Sequence, residues 1–510
     1  MAFNDLDRVP VNVKAIVHLQ VLDLRGNRIK SLKSAQLEEA KELSVLYLQS
    51  NQLDSIPDSF RTFEFLRILN LSSNRFTTMP MVLFEMEALE ELDMSFNDLS
   101  EIPDDIGRLI RLQKLLLFGN RIGPSLPKTM SALDRLKKLD IRQNEVMDLD
   151  ALNNMLKLGE LLVDYNPKLA LNNSFNSLKV ASFLKCNITD MNILETGETL
   201  TSLDISSNEL SKLEPGVLEH LGNLVTLKLD NNNISSLPEN IGTLKHLEYL
   251  SISNNILSSL PKDIDQLESL LELDVHANKL SELPVAIWRC KLEILNASSN
   301  ALESFPDPPK LQISQSVSAG LTTTSSSSST SATPETGTAT TPAATATAPV
   351  ASATVTSTPS SSKPKPLPAP PVTLQSTPSG RAPYAPPLAN SLLTLCLGDN
   401  RLPDDVMYPL SHLVKLEVLN LSYNCITEIL RQKIPNPSAI QELYLSGNQL
   451  TSLPAEDMAR LQSLRVLHVN GNKLTTLPAE LSEIKPLEVL DVGCNMLKYN
   501  ISNWPYDWNW

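Results

Sequence analysis

An α/β repeat, built as a solenoid of stacked strand-and-turn coils, is the fold class this sequence predicts, and three observations predict it. The first is one repeated sentence, L-x-x-L-x-L-x-x-N-x-L, seen most cleanly from Leu247 through Leu250 and Ile252 to Asn255. The second is its period: within each block the asparagine recurs every 21 to 24 residues. The third is the half that follows, x-x-L-P-x-x-I-x-x-L, as in Leu237-Pro238-Glu239-Asn240-Ile241. Such a period marks coils that cannot bury an apolar face alone and do so by stacking.

Each part of the sentence has a mechanical reading. The L-x-L pairs, such as Leu22 and Leu24 or Leu227 and Leu229, put two side chains on one face of a short strand. Stacked copies lay these strands into a parallel sheet. Where the chain turns out of the strand its backbone groups lose ladder partners, and a buried asparagine amide can bond them in neighbouring coils. The expected asparagine ladder is Asn27, Asn51, Asn74, Asn97, Asn120, Asn144, Asn166, Asn187, Asn208, Asn232, Asn255, Asn278 and Asn300, then Asn400, Asn424, Asn448, Asn472 and Asn495. Proline in the second half sets the entry to a short helical or irregular convex turn. The whole is a leucine-rich repeat solenoid, a curved horseshoe with a concave parallel β-sheet. The coil around Asn187 is expected to be distorted, because Lys179 and Ser182 stand where leucines belong and only Leu184 fits.

The organisation follows from where the sentence stops. Residues 1–306 hold thirteen copies and 390–501 hold five, while 307–389 are rich in Ser, Thr, Ala and Pro. That composition cannot bury enough apolar area to offset chain entropy, so a long disordered insertion is expected there. Asn300 and Asn400 lie 100 residues apart, and one repeat of about 23 leaves about 77 extra residues inside the array. Pro364-Lys-Pro-Leu-Pro368 is its best docking motif, set against the simpler reading of a tolerated loop. The first copy begins at Leu19 with no polar cap before it, and residues 502–510 begin a continuation, so a fragment of a longer protein is expected.

Composition excludes several functions. A net charge of −15 and pI near 5.0 argue against a nucleic-acid binder, which needs clustered Lys and Arg. Five cysteines without C-x-x-C spacing fit a reducing, cytoplasmic setting. No apolar leader and no run of 18 apolar residues is present, so membrane contact is expected only through a lipidated partner. Phosphate-loop, dinucleotide, zinc-protease and serine-hydrolase motifs are missing, and the six histidines sit at repeat-dictated positions. No catalytic, cofactor-binding or metal-ligating residue is assigned.

Function is therefore expected on the exposed sheet face, at the residues two, four and six before each asparagine. Most are small or charged. In the fifth to eighth coils they become Lys114, Leu116, Phe118, Lys138, Asp140, Arg142, Glu160, Leu162, Asp164, Ala181, Phe183 and Lys185. Apolar anchors (Leu116, Phe118, Leu162, Phe183) ringed by basic groups (Lys114, Lys138, Arg142, Lys185) suit a protein-binding patch, against the plainer reading of a neutral face. Tyr444, Val466 and His468 form a second candidate.

The short L-P-containing coils resemble those of Ras-associated leucine-rich proteins. The stretch Leu487-Glu-Val-Leu-Asp-Val-Gly-Cys-Asn-Met-Leu-Lys-Tyr-Asn, ending in Trp504-Pro-Tyr-Asp-Trp508, is similar to fungal adenylate cyclases, as are Leu397-Gly-Asp-Asn-Arg-Leu and Leu419-Asn-Leu-Ser-Tyr-Asn. The resemblance implies a regulatory region that receives input from a Ras-type small GTPase and other signalling proteins. It further implies cyclic AMP synthesis by a domain absent from this chain, with Mg²⁺ or Mn²⁺ expected there and no cofactor here. The alternative is a stand-alone scaffold joining a GTPase to a phosphatase or kinase.

Overall fold

The computed structural model describes residues 1–16, 18–153, 155–170, 175, 177–190, 198–309 and 385–498. The bulk of the expected disordered insertion, 310–384, and the continuation at 502–510 lie outside these residues. Among the described residues, eighteen three-residue strands, numbered in chain order from β1 (Val21–Asp23) to β18 (Val489–Asp491), form one parallel sheet. Every strand pairs with its sequence neighbours, with the central leucines in register, as in Leu227↔Leu250↔Leu273.

The sequence sentence explains one coil at a time. In the coil of Asn255, Leu247, Leu250, Ile252, Leu257, Leu260 and Ile264 all point into the core and are buried. Fully burying each such side chain is worth about 1.5–3 kcal/mol. The turn back is a 3₁₀ segment, such as Glu239–Thr243, entered through Pro238 at φ −69°. Proline costs nothing there, since the N–H it lacks would have had no helical partner. The asparagine then closes the coil. Asn255 Oδ1 accepts the Ile234 N–H at 2.9 Å, while its Nδ2 donates to the carbonyls of Leu229, Ile252 and Ser253.

The residue before each ladder position takes a left-handed backbone, with φ between 50° and 69° from Gly26 to Cys494. Glycine fills it at Gly26, Gly119, Gly447 and Gly471, and aromatics fill it at Phe96, Tyr165 and Tyr423. Phe3 and Asn4 repeat the same turn ahead of the first full coil: the Phe3 N–H bonds Arg25 O, and Leu6 N–H bonds Asn27 Oδ1. The turn half of a coil thus precedes Leu19, contrary to the expected bare start.

Three further expectations need correction. The coil after Asn166 sits one residue earlier than the pattern suggested: β8 (Val180–Ser182) puts Ala181 against Leu161 and Leu203 in the core. Cys186, not Asn187, therefore occupies the ladder position, and Cys186 Sγ reaches Val163 O at 3.4 Å. Asn187 is exposed, with its amide on Pro167 O, and takes the left-handed backbone one step beyond. The sequence misled because Ala181 and Phe183 replace the usual leucines. The second correction is the end of the insertion: Pro387–Asn390 is already the 3₁₀ turn of the next coil, with Leu388 and Ala389 buried. The third concerns charge and is taken up below.

The sheet runs without a break across the insertion point. β13 (Ile294–Asn296) pairs directly with β14 (Thr394–Cys396), and Asn400 bonds Ala297 O and the Leu302 N–H. Fully buried Trp288 fixes the chain just before it leaves, donating from Nε1 to Pro306 O at 2.8 Å and packing edge-on against Phe305.

Candidate protein-binding face

On the exposed face of the sheet the first and third residues of each strand point outward, and one further residue, two before the ladder position, continues the row. That last residue has left the ladder, so its N–H needs an acceptor. The third strand residue supplies it: Asp93 bonds the Ser95 N–H, Asp140 that of Arg142, Asp204 that of Ser206 and Asp274 that of His276. Where that position is serine, an aspartate of the preceding coil reaches across. Asp164 accepts from Ser182 Oγ and the Leu184 N–H, and Asp230 from Ser251, Ser253 and the Ser253 N–H. Much of the acid on this face is thus architectural. Burial pushes the Asp164 carboxyl above its ordinary value, and the bonds from Ser182 and Leu184 only partly oppose this.

Leu116, Phe118, Lys114, Lys138, Arg142 and Leu162 stand together on β5 (Lys114–Leu116), β6 (Lys138–Asp140), β7 (Glu160–Leu162) and the residues after them. Phe183 does not join them. It is fully buried, and Val180, Ser182 and Leu184 take the outward positions of that coil. Lys185 stands to one side at the left-handed position, its Nζ 5.5 Å from the Tyr165 ring centre.

The anchors form a denser cluster than the sequence indicated. Phe96, 52% exposed, meets Phe118 edge-on at 4.6 Å, and the Arg142 guanidinium lies 4.8 Å from the Phe118 ring centre. Arg142 is held from behind by both Asp140 oxygens, at 2.9 and 2.7 Å. Phe96 rests over Gly119, where a Cβ would come within 2.9 Å of its ring. Phe96, Tyr165 and Leu184 were missed by the three-column pattern. An aromatic directly before the ladder asparagine is the signal that finds the first two.

The electrostatics depart from the expected basic ring. Lys114 pairs with Glu91 at 2.8 Å, Lys138 with Glu160 and Arg142 with Asp140. With Asp93 and Asp164, five acids face three cations on these coils. The patch is therefore an apolar, aromatic surface crossed by ion pairs. Any long-range attraction for an acidic partner is damped by those pairs.

Residues 17–76, 64–122, 390–450 and 438–497 match the leucine rich repeat family, and residues 177–300 match the leucine-rich repeat region family. The adenylate cyclase of Podospora anserina is 36% identical over 99% of this chain, and that of Mycosarcoma maydis 42% over 75%. That of Schizosaccharomyces pombe is 29% identical over 84%. This chain is a leucine-rich repeat region homologous to fungal adenylate cyclases. It spans 25%, 14% and 23% of those three proteins in the same order. Among solved structures, a leucine-rich repeat protein of Leptospira interrogans matches with a TM-score of 0.59 at 22% identity, covering 96% of this chain and 93% of that one. YopM from Yersinia enterocolitica matches at 0.54 and 22%, covering 99% and 80%. At those identities the likeness concerns the fold alone.

Among the described residues no helix is long and apolar enough to cross a membrane.

Proposed function

We propose that this region is the regulatory, partner-binding part of a fungal-type adenylate cyclase, which takes input from a Ras-type GTPase and passes it to a cyclase domain elsewhere in the parent protein. Cyclic AMP synthesis, and the Mg²⁺ or Mn²⁺ it uses, belong in this reading to that other domain. Among the described residues no group of three or more His, Cys, Asp or Glu could hold a metal. The observation that carries the reading is the Phe96–Phe118–Arg142 cluster, a preorganised aromatic and arginine anchor on an open sheet face. Such residues dominate interface energies where water is excluded.

The test is titration of the purified chain with GTP-loaded and GDP-loaded Ras. Phe118→Ala should weaken binding by about 1–3 kcal/mol. Lys138→Glu with Arg142→Glu places like charge against Glu160 and Asp140, and should weaken binding through lost preorganisation more than through slower association. Equal affinity of wild type and both variants removes this patch. Equal affinity for the two nucleotide states removes the GTPase reading itself.

A further inference from the structure

Beyond the insertion point the exposed face changes character. The row that carries Phe118 and Arg142 earlier in the array is reduced to Gly398, Ser422 and Ser446, so the floor of the sheet lies low. Tyr423 rises on one side of it and Tyr444 with His468 on the other, and together they border a cavity of about 390 Å³. Tyr423 is held at φ 55° with its ring over Gly447, where a Cβ would lie 2.4 Å from the ring, yet it remains 61% exposed. Tyr444 packs against His468 at 5.0 Å and donates its hydroxyl to Glu442 at 2.7 Å.

Elsewhere on this face, Phe96 apart, the aromatic rings named so far carry the chain's own cations. Arg25 lies over Phe3 and Tyr47, Arg142 over Phe118, Lys185 over Tyr165 and Lys228 over Tyr249. Among the described residues, Tyr423 and Tyr444 have no such cation, and no Lys or Arg borders the cavity. Arg465, which precedes the strand Val466–His468, is held by both oxygens of Glu488. Asp399, exposed on the wall, and Glu442, behind Tyr444, form no ion pair among the described residues. Electron-rich ring faces with nearby carboxylates attract an ammonium or guanidinium group.

We propose that this cavity is a second docking site, separate from the Phe118 cluster, and that its occupant is a basic segment of a protein partner that sets an arginine or lysine side chain between Tyr423 and Tyr444. The low serine and glycine floor admits an extended backbone, and the tyrosines and Asp399 select the cation. An acidic segment meets the like charge of Asp399, and a purely apolar one packs on the rings without using it.

The experiment titrates the full chain with three fluorescent peptides of alternating composition: Arg-Ser, Gln-Ser and Glu-Ser. The Arg-Ser peptide should bind in preference to the other two and weaken as salt is raised. Tyr423→Ala and Asp399→Asn should each reduce its affinity roughly 3- to 30-fold, while Phe118→Ala leaves it unchanged. Asparagine is at ease in the left-handed backbone of position 399, so that variant tests the charge without disturbing the turn. Circular dichroism confirms that each variant is folded. Equal binding of all three peptides, no saturable binding of the Arg-Ser peptide, or unchanged affinity in both site variants overturns the proposal; the last outcome assigns the binding to general acidity of the surface.

Discussion

Asn255→Ala removes four hydrogen bonds, and adding them would predict a loss larger than the structure supports. The three carbonyls that Asn255 serves keep other donors: Leu229 O retains the Asn232 amide, Ile252 O the Asn278 amide and Ser253 O the Asn231 N–H. The Ile234 N–H has Asn255 Oδ1 alone among the described residues, and Ile234 is fully buried. One stranded buried donor costs about 1–3 kcal/mol. A water admitted into the space left by the side chain would bring the loss toward the lower end. Urea unfolding followed by circular dichroism should show the shift as a lower midpoint at unchanged slope, and amide exchange at Ile234 should accelerate. Asn187→Gly is the control, since it keeps the left-handed turn relaxed and removes one exposed bond to Pro167 O; its effect should stay within about 0.5 kcal/mol. Equal losses in the two variants would refute the reasoning, because they would show that the ladder amide is not what satisfies the buried coil.

Cleavage at a protease site introduced within residues 310–384 should leave both pieces in one particle on size exclusion, since Ile294↔Thr394, Leu295↔Leu395 and the Asn400 bonds hold the two sides together; separation of the pieces would contradict this. Burial pushes the Cys186 and Cys290 thiols up to about 12, so at neutral pH a maleimide should label exposed Cys425 and Cys494 first, with Cys186 and Cys290 reacting only on unfolding; mass spectrometry of the labelled sites decides. The raised Asp164 carboxyl means that the folded chain holds this proton more tightly than the unfolded chain, so its contribution to stability is fullest below the ordinary carboxylate range and is lost as pH rises through the raised value. Asp164→Asn should therefore gain on the wild type as pH rises from below the ordinary carboxylate range through the raised value, and a constant difference across that rise would reject burial as the cause.

The repeat made the fold legible because its leucines and asparagines are spaced by the coil itself. Seventeen of the eighteen expected asparagines sit on the ladder. The eighteenth, Asn187, was displaced by Cys186, a small apolar residue that fills the place without the amide's bonding. Local pattern could not settle that register, because Ala181 and Phe183 fill the core as well as leucines do while departing from the consensus. The site was legible only in part. Lys114 and Lys138 read as free cations when each coil is taken alone, because their carboxylate partners on Glu91 and Glu160 lie 23 and 22 residues away, whereas the Asp140 that pairs with Arg142 stands in the same coil. Phe96 escaped notice because left-handed turn positions are usually polar or glycine, and its exposure depends on Gly119 in the next coil.

The asparagine ladder also has a direction. Each amide reaches toward the N-terminus: Asn51 accepts from Ile29, Asn74 from Leu53 and Asn424 from Leu402. A coil added at the C-terminal side therefore arrives with the acceptor its predecessor lacks, whereas one added at the N-terminal side finds that acceptor already waiting. Growth of the folded array is thus inequivalent at its two ends. A chain made from its N-terminus leaves the newest coil with several unanswered amides, as Leu24, Gly26 and Ile29 would be without the carbonyls of Tyr47 and Gln49 and the Asn51 Oδ1, until the next coil has been synthesised, which favours closing coils as neighbouring pairs.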